Sequence, residues 1–145
     1  MPLPKISTPT YELELPSTGK KIKYRPFLVR EEKILILALE SEDEKQIANA
    51  VKTTLKDCIQ TRGIKVENLP TFDIEYLFLN IRGKSVGEAV DLIVTCPDDG
   101  KTTVPIKIYI DEINVEKEDG HTPDINLDGN LTLRMKYPSL EQFVT

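Results

Sequence analysis

Cysteine, histidine and long apolar runs are scarce in this chain. Its 145 residues include two cysteines, Cys58 and Cys96, and one histidine, His121. With no secretory signal, two cysteines indicate reduced thiols rather than a disulfide framework. No segment approaches the roughly 20 consecutive apolar residues of a membrane span. Residues 1–10 resemble neither a signal peptide nor a transit peptide. We therefore expect a cytoplasmic protein without a membrane span.

Catalytic and cofactor motifs are also scarce. His121 lies in a polar loop, where a solvated side chain is the ordinary state. A thiol or metal enzyme would have to combine Cys96 with His121, and no nucleophile elbow accompanies them. Residues 83–87 lack the spacing of a phosphate loop, and zinc needs about four ligands drawn mostly from Cys and His. We predict no enzymatic activity, no cofactor and no metal site, with a Cys/His thiol or metal enzyme as a distant alternative.

The charge is distributed unevenly along the chain. The net charge of −5 argues against nucleic acid as the main partner. Residues 1–36 carry about +3 and residues 86–131 about −8. Such an asymmetry either orients subunits in an assembly through complementary patches or belongs to a solvated surface.

A period-two pattern at the start predicts a β-hairpin. Residues 11–15 and 21–25 alternate apolar and charged side chains, and residues 16–19 supply turn chemistry between them. The apolar members share one face, which we expect to be buried: Tyr11, Leu13, Leu15, Ile22 and Tyr24.

Two helices are predicted next. Residues 29–40 combine acids in the first turn with a broad apolar stretch, which predicts a short, well buried helix. The second helix is predicted to begin at a capping box of Ser41 and Glu44 and to stop at Gly63. Cys58 falls on its apolar stripe and is expected to be a small core residue.

A third helix is predicted over residues 71–82. Thr71 or Asp73 would cap it, and Gly83 would close it. Its core face is expected to contain Ile74, Leu77, Phe78 and Ile81. Three further side chains widen its apolar surface, for burial against two neighbours or against a partner protein: Phe72, Tyr76 and Leu79.

From residue 88 the apolar period changes to two. Strands on either side of residues 96–100, Cys-Pro-Asp-Asp-Gly, are predicted to pair. This stretch could be a decayed metal knuckle, a redox site or a hairpin turn, and the flanking β-branched runs favour a turn in which Asp99 and Gly100 supply the positive-φ geometry. A second hairpin is predicted over residues 125–135.

The predicted architecture is α+β. It has an N-terminal β-hairpin (11–25), a helical part (29–83) and a predominantly antiparallel β-sheet (88–137), and the length favours one domain over residues 1–145. A capping box of Ser139 and Gln142 opens a further helix in residues 138–145. Either the terminus is a frayed turn or the chain is the front part of a longer protein.

Several stretches together resemble the T4-type bacteriophage base plate proteins, subunits associated with the baseplate hub of contractile tails. They keep their order and spread over nearly the whole chain: MPLPKI (1–6), YELELPST (11–18), RPFLVREEKIL (25–35), TFDIEYLF (71–78), IRGKSVGE (81–88) and MKYP (135–138). None is a chemical motif. The family looks longer than this chain, with a further helical part after the sheet.

The resemblance implies a non-enzymatic, structural role in a multimeric tail baseplate, without a cofactor. The implied partners are other baseplate and hub proteins and the tape-measure protein. The implied location is the virion, after assembly in the host cytoplasm. The alternative is a tail assembly chaperone for hub or tape-measure proteins that is not retained in the virion.

Two patches mix basic, apolar and Gly residues as an interface does, residues 25–33 and 81–88. With the aromatic residues of the third helix they supply the predicted interface: Arg25, Phe27, Arg30, Phe72, Tyr76, Arg82 and Lys84.

Overall fold

The computed structural model describes residues 7–143. It confirms the predicted α+β class, because an N-terminal hairpin is followed by three helices and then by antiparallel strand pairs. The strands are β1 (Tyr11–Glu14), β2 (Lys21–Tyr24), β3 (Ala89–Thr95), β4 (Thr103–Tyr109), β5 (Asp124–Asn126) and β6 (Thr132–Arg134). The α-helices are α1 (Val29–Glu40), α2 (Glu44–Cys58), α3 (Thr71–Val86) and α4 (Leu140–Phe143), and 3₁₀ turns occur at Val66–Asn68 and Ile110–Glu112. One domain over residues 1–145 stays a prediction.

β1 and β2 form the predicted N-terminal hairpin. Tyr11 pairs with Tyr24 and Leu13 pairs with Ile22. Because side chains alternate across a strand, the apolar residues share one face. Ile22, Tyr24 and Leu15 have at most 2% of their surface exposed, and Tyr11 and Leu13 pack beside them. The predicted buried face is confirmed.

α1 is less buried than predicted. Only Glu31 and Ala38 are fully buried, whereas Val29 and Leu39 are 80% and 62% exposed. Within residues 7–143 the helix packs chiefly against α2. Its apolar residues extend around more of the helix than this one neighbour covers.

The predicted capping box at the start of α2 is wrong. The N-cap is Asp43, whose Oδ1 accepts a hydrogen bond from the Lys45 amide at 2.9 Å. Ser41 belongs instead to the end of α1, where its hydroxyl donates to the Ala38 carbonyl at 2.7 Å. Glu44 is accordingly the first helical residue rather than the third.

α2 ends at Cys58, before the predicted stop at Gly63. The next residue, Ile59, forms an isolated antiparallel bridge with Tyr24, and the Arg25 amide donates to the Cys58 carbonyl at 2.9 Å. The chain therefore leaves the helix to extend the pairing of β2. Gly63 lies in the following turn with φ of 83°.

α3 is capped differently from the prediction. Its N-cap is Pro70, which lacks the side-chain acceptor of a polar cap. Asp73 is fully buried and accepts hydrogen bonds from Ser17, at 3.0 Å from the backbone amide and also from the hydroxyl. This carboxylate therefore ties the turn of the first hairpin to α3 instead of capping the helix.

Gly83 lies inside α3 rather than at its end. The helix continues to Val86 and closes at Gly87, which has φ of 143°. A Cβ built on Gly83 would lie 3.5 Å from Cγ2 of Ile110. Ile110, expected in a strand, lies in a 3₁₀ turn and is 3% exposed. A glycine within the helix thus marks the place where the β part of the chain packs on α3.

The core lies between the first hairpin, α2, the Val66–Asn68 turn and α3. Cys58 is fully buried in it, as predicted, and burial raises the pKa of its thiol to about 11. The predicted core face of α3 is confirmed, with Phe78 as its partly buried member. The buried members of the core are Leu15, Ile22, Tyr24, Leu55, Cys58, Val66, Ile74, Leu77 and Ile81.

The predicted antiparallel strands of the β part form two separate hairpins. In β3 and β4, Val90 pairs with Ile108, Leu92 with Ile106 and Val94 with Val104, as the pattern predicted. β5 and β6 pair through Ile125 and Leu133. Among residues 7–143 each sheet has two strands. The sequence suggested one sheet because period two defines a strand's faces but not which strands become neighbours.

Candidate functional site

Two of the predicted interface residues, Arg25 and Arg30, converge on the buried Glu31. The closest guanidinium nitrogens lie 3.0 and 3.2 Å from Glu31 Oε1, and Oε2 accepts the Leu28 amide at 2.7 Å. Arg30 also reaches Asp57 at 3.2 Å. Arg25 has 13% of its side chain exposed and Arg30 has 69%. Arg30 is therefore the member of this cluster that faces outward.

The electrostatics of this cluster are set by the contacts of Glu31. Burial by itself raises the pKa of a carboxylate, but hydrogen bonds from Arg25, the Leu28 amide and Arg30 outweigh it and lower the pKa of Glu31 from 4.5 to about 2. The carboxylate is thus ionised throughout the neutral range and holds Arg25 against the start of α1.

Phe27, another predicted interface residue, is half-buried. Its ring lies 5.8 Å from that of Phe78 in a tilted arrangement, and its amide donates to Ser85 Oγ at 2.7 Å. Phe27 thereby joins the segment before α1 to α3. Its aromatic side chain supports the surface at this junction.

Lys84 and Arg82 lie near the end of α3. Lys84 forms an ion pair with Glu88, and its ammonium group lies 5.3 Å above the ring of Tyr11. The hydrogen bond to Glu88 raises the pKa of Lys84. Arg82 is half-buried. Lys84 therefore lies at the edge of the contact between α3 and the first hairpin, paired with Glu88.

Phe72 and Tyr76 are both half-buried on α3. The Phe72 and Tyr137 rings meet edge-on with centroids 4.9 Å apart, and the His121 ring stacks on Tyr137 at 5.8 Å. His121 Nε2 lies 2.6 Å from the Tyr137 hydroxyl. His121 is exposed, as predicted for a loop, but it belongs to an aromatic group that the sequence pattern did not reveal.

The Cys96–Gly100 stretch is the hairpin turn between β3 and β4, as predicted. Gly100 has the predicted positive φ, 63°, but the prediction that Asp99 shares it is wrong, because Asp99 is not among the described residues with positive φ. The Cys96 amide donates to the Thr102 carbonyl at 2.8 Å. Asp99 accepts hydrogen bonds from the Thr102 hydroxyl and from two backbone amides, which lower the pKa of Asp99 to about 2. The acidic residue therefore stabilises the turn. Within residues 7–143, no three His, Cys, Asp or Glu side chains are grouped as a metal site requires.

An unexpected apolar surface lies on the two β hairpins. Leu92, Val94 and Val104 are 41%, 44% and 44% exposed. In β3 and β4 three cross-strand pairs place six aliphatic side chains on one face. The hairpin of β5 and β6 exposes five more large apolar residues: Ile125, Leu127, Leu131, Leu133 and Met135. The alternation was visible in the sequence, but it did not show whether these faces are covered.

The buried core and the exposed hairpins together indicate a class of protein. Within residues 7–143 the chain combines a compact hairpin and helix core with exposed aliphatic hairpins, and no helix there has the length and apolar character to cross a membrane. Large exposed apolar patches mark sites that bind proteins, membranes or ligands. These features are typical of a binding module.

Comparison with known proteins supplies the family. Residues 8–145 match the family model described as T4 bacteriophage base plate protein, so the chain belongs to that family. It is a structural protein of the phage baseplate that associates with other baseplate proteins of the phage tail. No curated protein and no solved structure matched the chain.

Proposed function

We propose that the chain is a non-enzymatic structural subunit of the baseplate hub in a contractile-tailed phage, and that it acts through protein–protein contacts in tail assembly. The observation that carries this proposal is the exposed aliphatic face of the β3–β4 hairpin. A two-stranded hairpin is at best marginally stable in water, and three strands or a packed neighbour are needed to stabilise it. A permanent neighbour in the baseplate would provide that cover.

The seven predicted interface residues lie outside the β3–β4 hairpin, in the segment before α1, in α1 and in α3. Arg30 and Lys84 are basic residues near the hairpin and helix core, each paired with acidic neighbours, whereas the β part carries most of the acidic excess. Complementary charge of this kind orients subunits as they meet. Arg25 is held in place by its ion pair with Glu31, and Phe27 packs on Phe78. The other members of the proposed surface are Phe72, Tyr76 and Arg82.

Mass spectrometry of intact, purified tails tests the proposal. We expect this protein at a fixed stoichiometry relative to other hub proteins. Its absence from intact tails, together with failed assembly when it is missing, would instead identify a chaperone that leaves before the tail is complete. Normal assembly in a Cys96→Ala, His121→Ala double variant would dispose of the thiol or metal enzyme.

A pair of point variants connects the assay to the hairpin surface. Leu92→Glu places a charge on the aliphatic face, and we expect it to reduce incorporation into tails. Thr103→Glu is the matched control, because Thr103 lies on the opposite face of the same hairpin. Equal incorporation of both variants would show that the aliphatic face is not a contact.

A further inference from the structure

The register of β3 and β4 shows which backbone groups of β3 point outward. The Ile110 amide donates to the Glu88 carbonyl and the Cys96 amide donates to the Thr102 carbonyl, both at 2.8 Å. Hydrogen-bonded and non-hydrogen-bonded pairs alternate along an antiparallel ladder. The even-numbered residues of β3 therefore bond to β4, and the amides and carbonyls of the odd-numbered residues face away. These outward residues are Ala89, Asp91, Ile93 and Thr95.

The two outer edges of this hairpin differ. Pro105 lies opposite Ile93 at an outward position of β4 and has no N–H to offer. Lys107 occupies the next outward position, and edge prolines and lysines are devices that block strand addition. β3 has neither residue. Among residues 7–143 no third strand pairs with the hairpin. β3 thus has an open edge and β4 a blocked one.

We propose that the open edge of β3 accepts an extended strand from a partner protein, with aliphatic side chains on one face of that strand and basic side chains on the other. The proposal rests on the proposed function, since the partner is another protein of the assembly. An added strand gains main-chain hydrogen bonds along the edge and specificity from alternate side chains. It also gives the hairpin the third strand that its stability requires.

The chemistry of the partner follows from the two faces of β3. Leu92 and its even-numbered neighbours present an aliphatic face to one side of an incoming strand. On the other face Asp91 is the only charged side chain of β3; it is 80% exposed and forms a cross-strand ion pair with Lys107 at 3.5 Å, an exposed contact that contributes little. Acidic residues also flank the strand, with Glu88, which pairs with Lys84, at one end and Asp98 and Asp99 at the other, so residues 88–112 keep a net charge of about −4. Basic residues on the outer face of the partner strand complement this charge.

A second copy of this chain is a poorer occupant. The antiparallel register that pairs the whole of β3 with β3 of another copy sets Asp91 opposite Ile93 of that copy. The two Asp91 carboxylates then become diagonal neighbours on one face. Like charges on neighbouring positions of paired strands oppose pairing.

Amide hydrogen exchange of the full chain with a probe peptide tests the proposal. The probe is a synthetic peptide of about nine residues that alternates valine with lysine, long enough to span β3. The control peptide alternates valine with glutamate. We expect the lysine peptide to slow exchange at Asp91 and Ile93 about tenfold, to leave Thr103 and Lys107 unchanged, and to exceed the effect of the glutamate peptide.

Other outcomes would overturn the proposal in distinct ways. Protection of β4 amides, or no protection at all, would show that the edge of β3 is not an acceptor. Equal protection by both peptides would remove the basic partner. Protection of Asp91 and Ile93 that grows with protein concentration and needs no peptide would identify a second copy as the occupant.

Proline variants separate the edge from the rest of the fold. Ile93→Pro removes an outward amide without removing a bond between β3 and β4, and Thr103→Pro does the same on the outer edge of β4. With both variants shown to be folded by circular dichroism, we expect only Ile93→Pro to lose peptide protection and incorporation into tails. Normal incorporation of Ile93→Pro sinks the edge proposal alone, whereas absence of the unmodified protein from tails sinks the proposed hub function.

Discussion

Replacing Glu31 with glutamine should lower the free energy of unfolding by about 3 kcal/mol at neutral pH. The carboxylate is fully buried and is held by Arg25 at 3.0 Å, Arg30 at 3.2 Å and the Leu28 amide at 2.7 Å. Burial raises the pKa of Glu31, but these bonds lower it from 4.5 to about 2 overall, and a fall of that size corresponds to about 3 kcal/mol. Breaking a buried ion pair costs about 3–5 kcal/mol, which agrees. Most of the loss comes from the Arg25 pair, because Arg30 is largely exposed and such pairs contribute little.

The pH dependence of this loss is part of the prediction. Because the pKa of Glu31 in the folded protein lies below its value in the unfolded chain, its contribution is complete above about pH 4.5 and disappears as the pH falls toward about 2. Urea unfolding followed by far-ultraviolet circular dichroism near pH 7, 4 and 3 measures it. The difference between the unmodified protein and Glu31→Gln should shrink steadily with acidification.

Glu32→Gln is the matched control for this experiment. Glu32 lies on the same turn of α1 and is exposed, so its replacement should change stability by less than about 0.5 kcal/mol. Equal unfolding midpoints for the two variants at pH 7 would refute the reasoning. So would a Glu31→Gln loss that stays constant down to pH 3.

Three further predictions concern the core. Asp73→Asn should lower the free energy of unfolding by about 1–3 kcal/mol, because the buried side chain loses part of its hydrogen bonding to Ser17. Urea unfolding measures the change, and an unchanged midpoint would contradict the prediction. Thr54→Val should be neutral or stabilise by about 1 kcal/mol, because Thr54 Oγ1 is buried without a hydrogen-bond partner among the described residues. Clear destabilisation in the same assay would show that the hydroxyl is bonded. A thiol reagent at neutral pH should modify Cys96 in the folded protein and Cys58 only after unfolding, since burial raises the pKa of the Cys58 thiol to about 11. Mass spectrometry of the labelled peptides measures this, and rapid labelling of Cys58 in the folded protein would contradict it.

Periodicity alone predicted which residues of the first hairpin, α2 and α3 share an apolar face, but it overestimated the burial of α1. Tyr24 and Leu15 lie where period two placed them, and Cys58 lies where the helical stripe placed it. Pairing of the strands on either side of Cys96–Gly100 was also predicted, and the turn determines the register that sets Leu92 opposite Ile106. These features depend on local geometry, which neighbouring residues determine.

The ends of the helices were harder to predict. Ser41 and Gly63 each carry a local signal for a helix boundary, yet Asp43 starts α2 and Cys58 ends it. The bridge between Ile59 and Tyr24 stops α2 early, and it joins residues distant in sequence. At Ser139 the local signal was sufficient, because the Ser139 amide donates to Gln142 Oε1 at 3.1 Å and the Gln142 amide to Ser139 Oγ at 3.4 Å. Ser139 also forms a bridge with Pro70, which is distant in sequence, but this bridge leaves the cap intact. A helix boundary is therefore predictable where the tertiary contact agrees with the local cap.

The seven interface residues illustrate the same division at the candidate site. Their residue types indicated contact with a partner. The sequence could not show that Arg25 forms an ion pair with the buried Glu31 or that Phe27 packs on Phe78. The aromatic group of Phe72, Tyr137 and His121 joins separate parts of the chain. No pattern of neighbouring residues in the sequence predicts a contact between aromatic side chains so far apart in the chain.

By itself, the sequence determined the α+β class, the paired faces of each hairpin and, through the family resemblance, a role in the phage baseplate. The tertiary structure decided which apolar faces are covered. The first hairpin is buried against α2 and α3, whereas the β3–β4 hairpin, with the same alternation, leaves its aliphatic residues exposed. The physical reason is that alternation defines an apolar face, but burial depends on a neighbour that is distant in sequence.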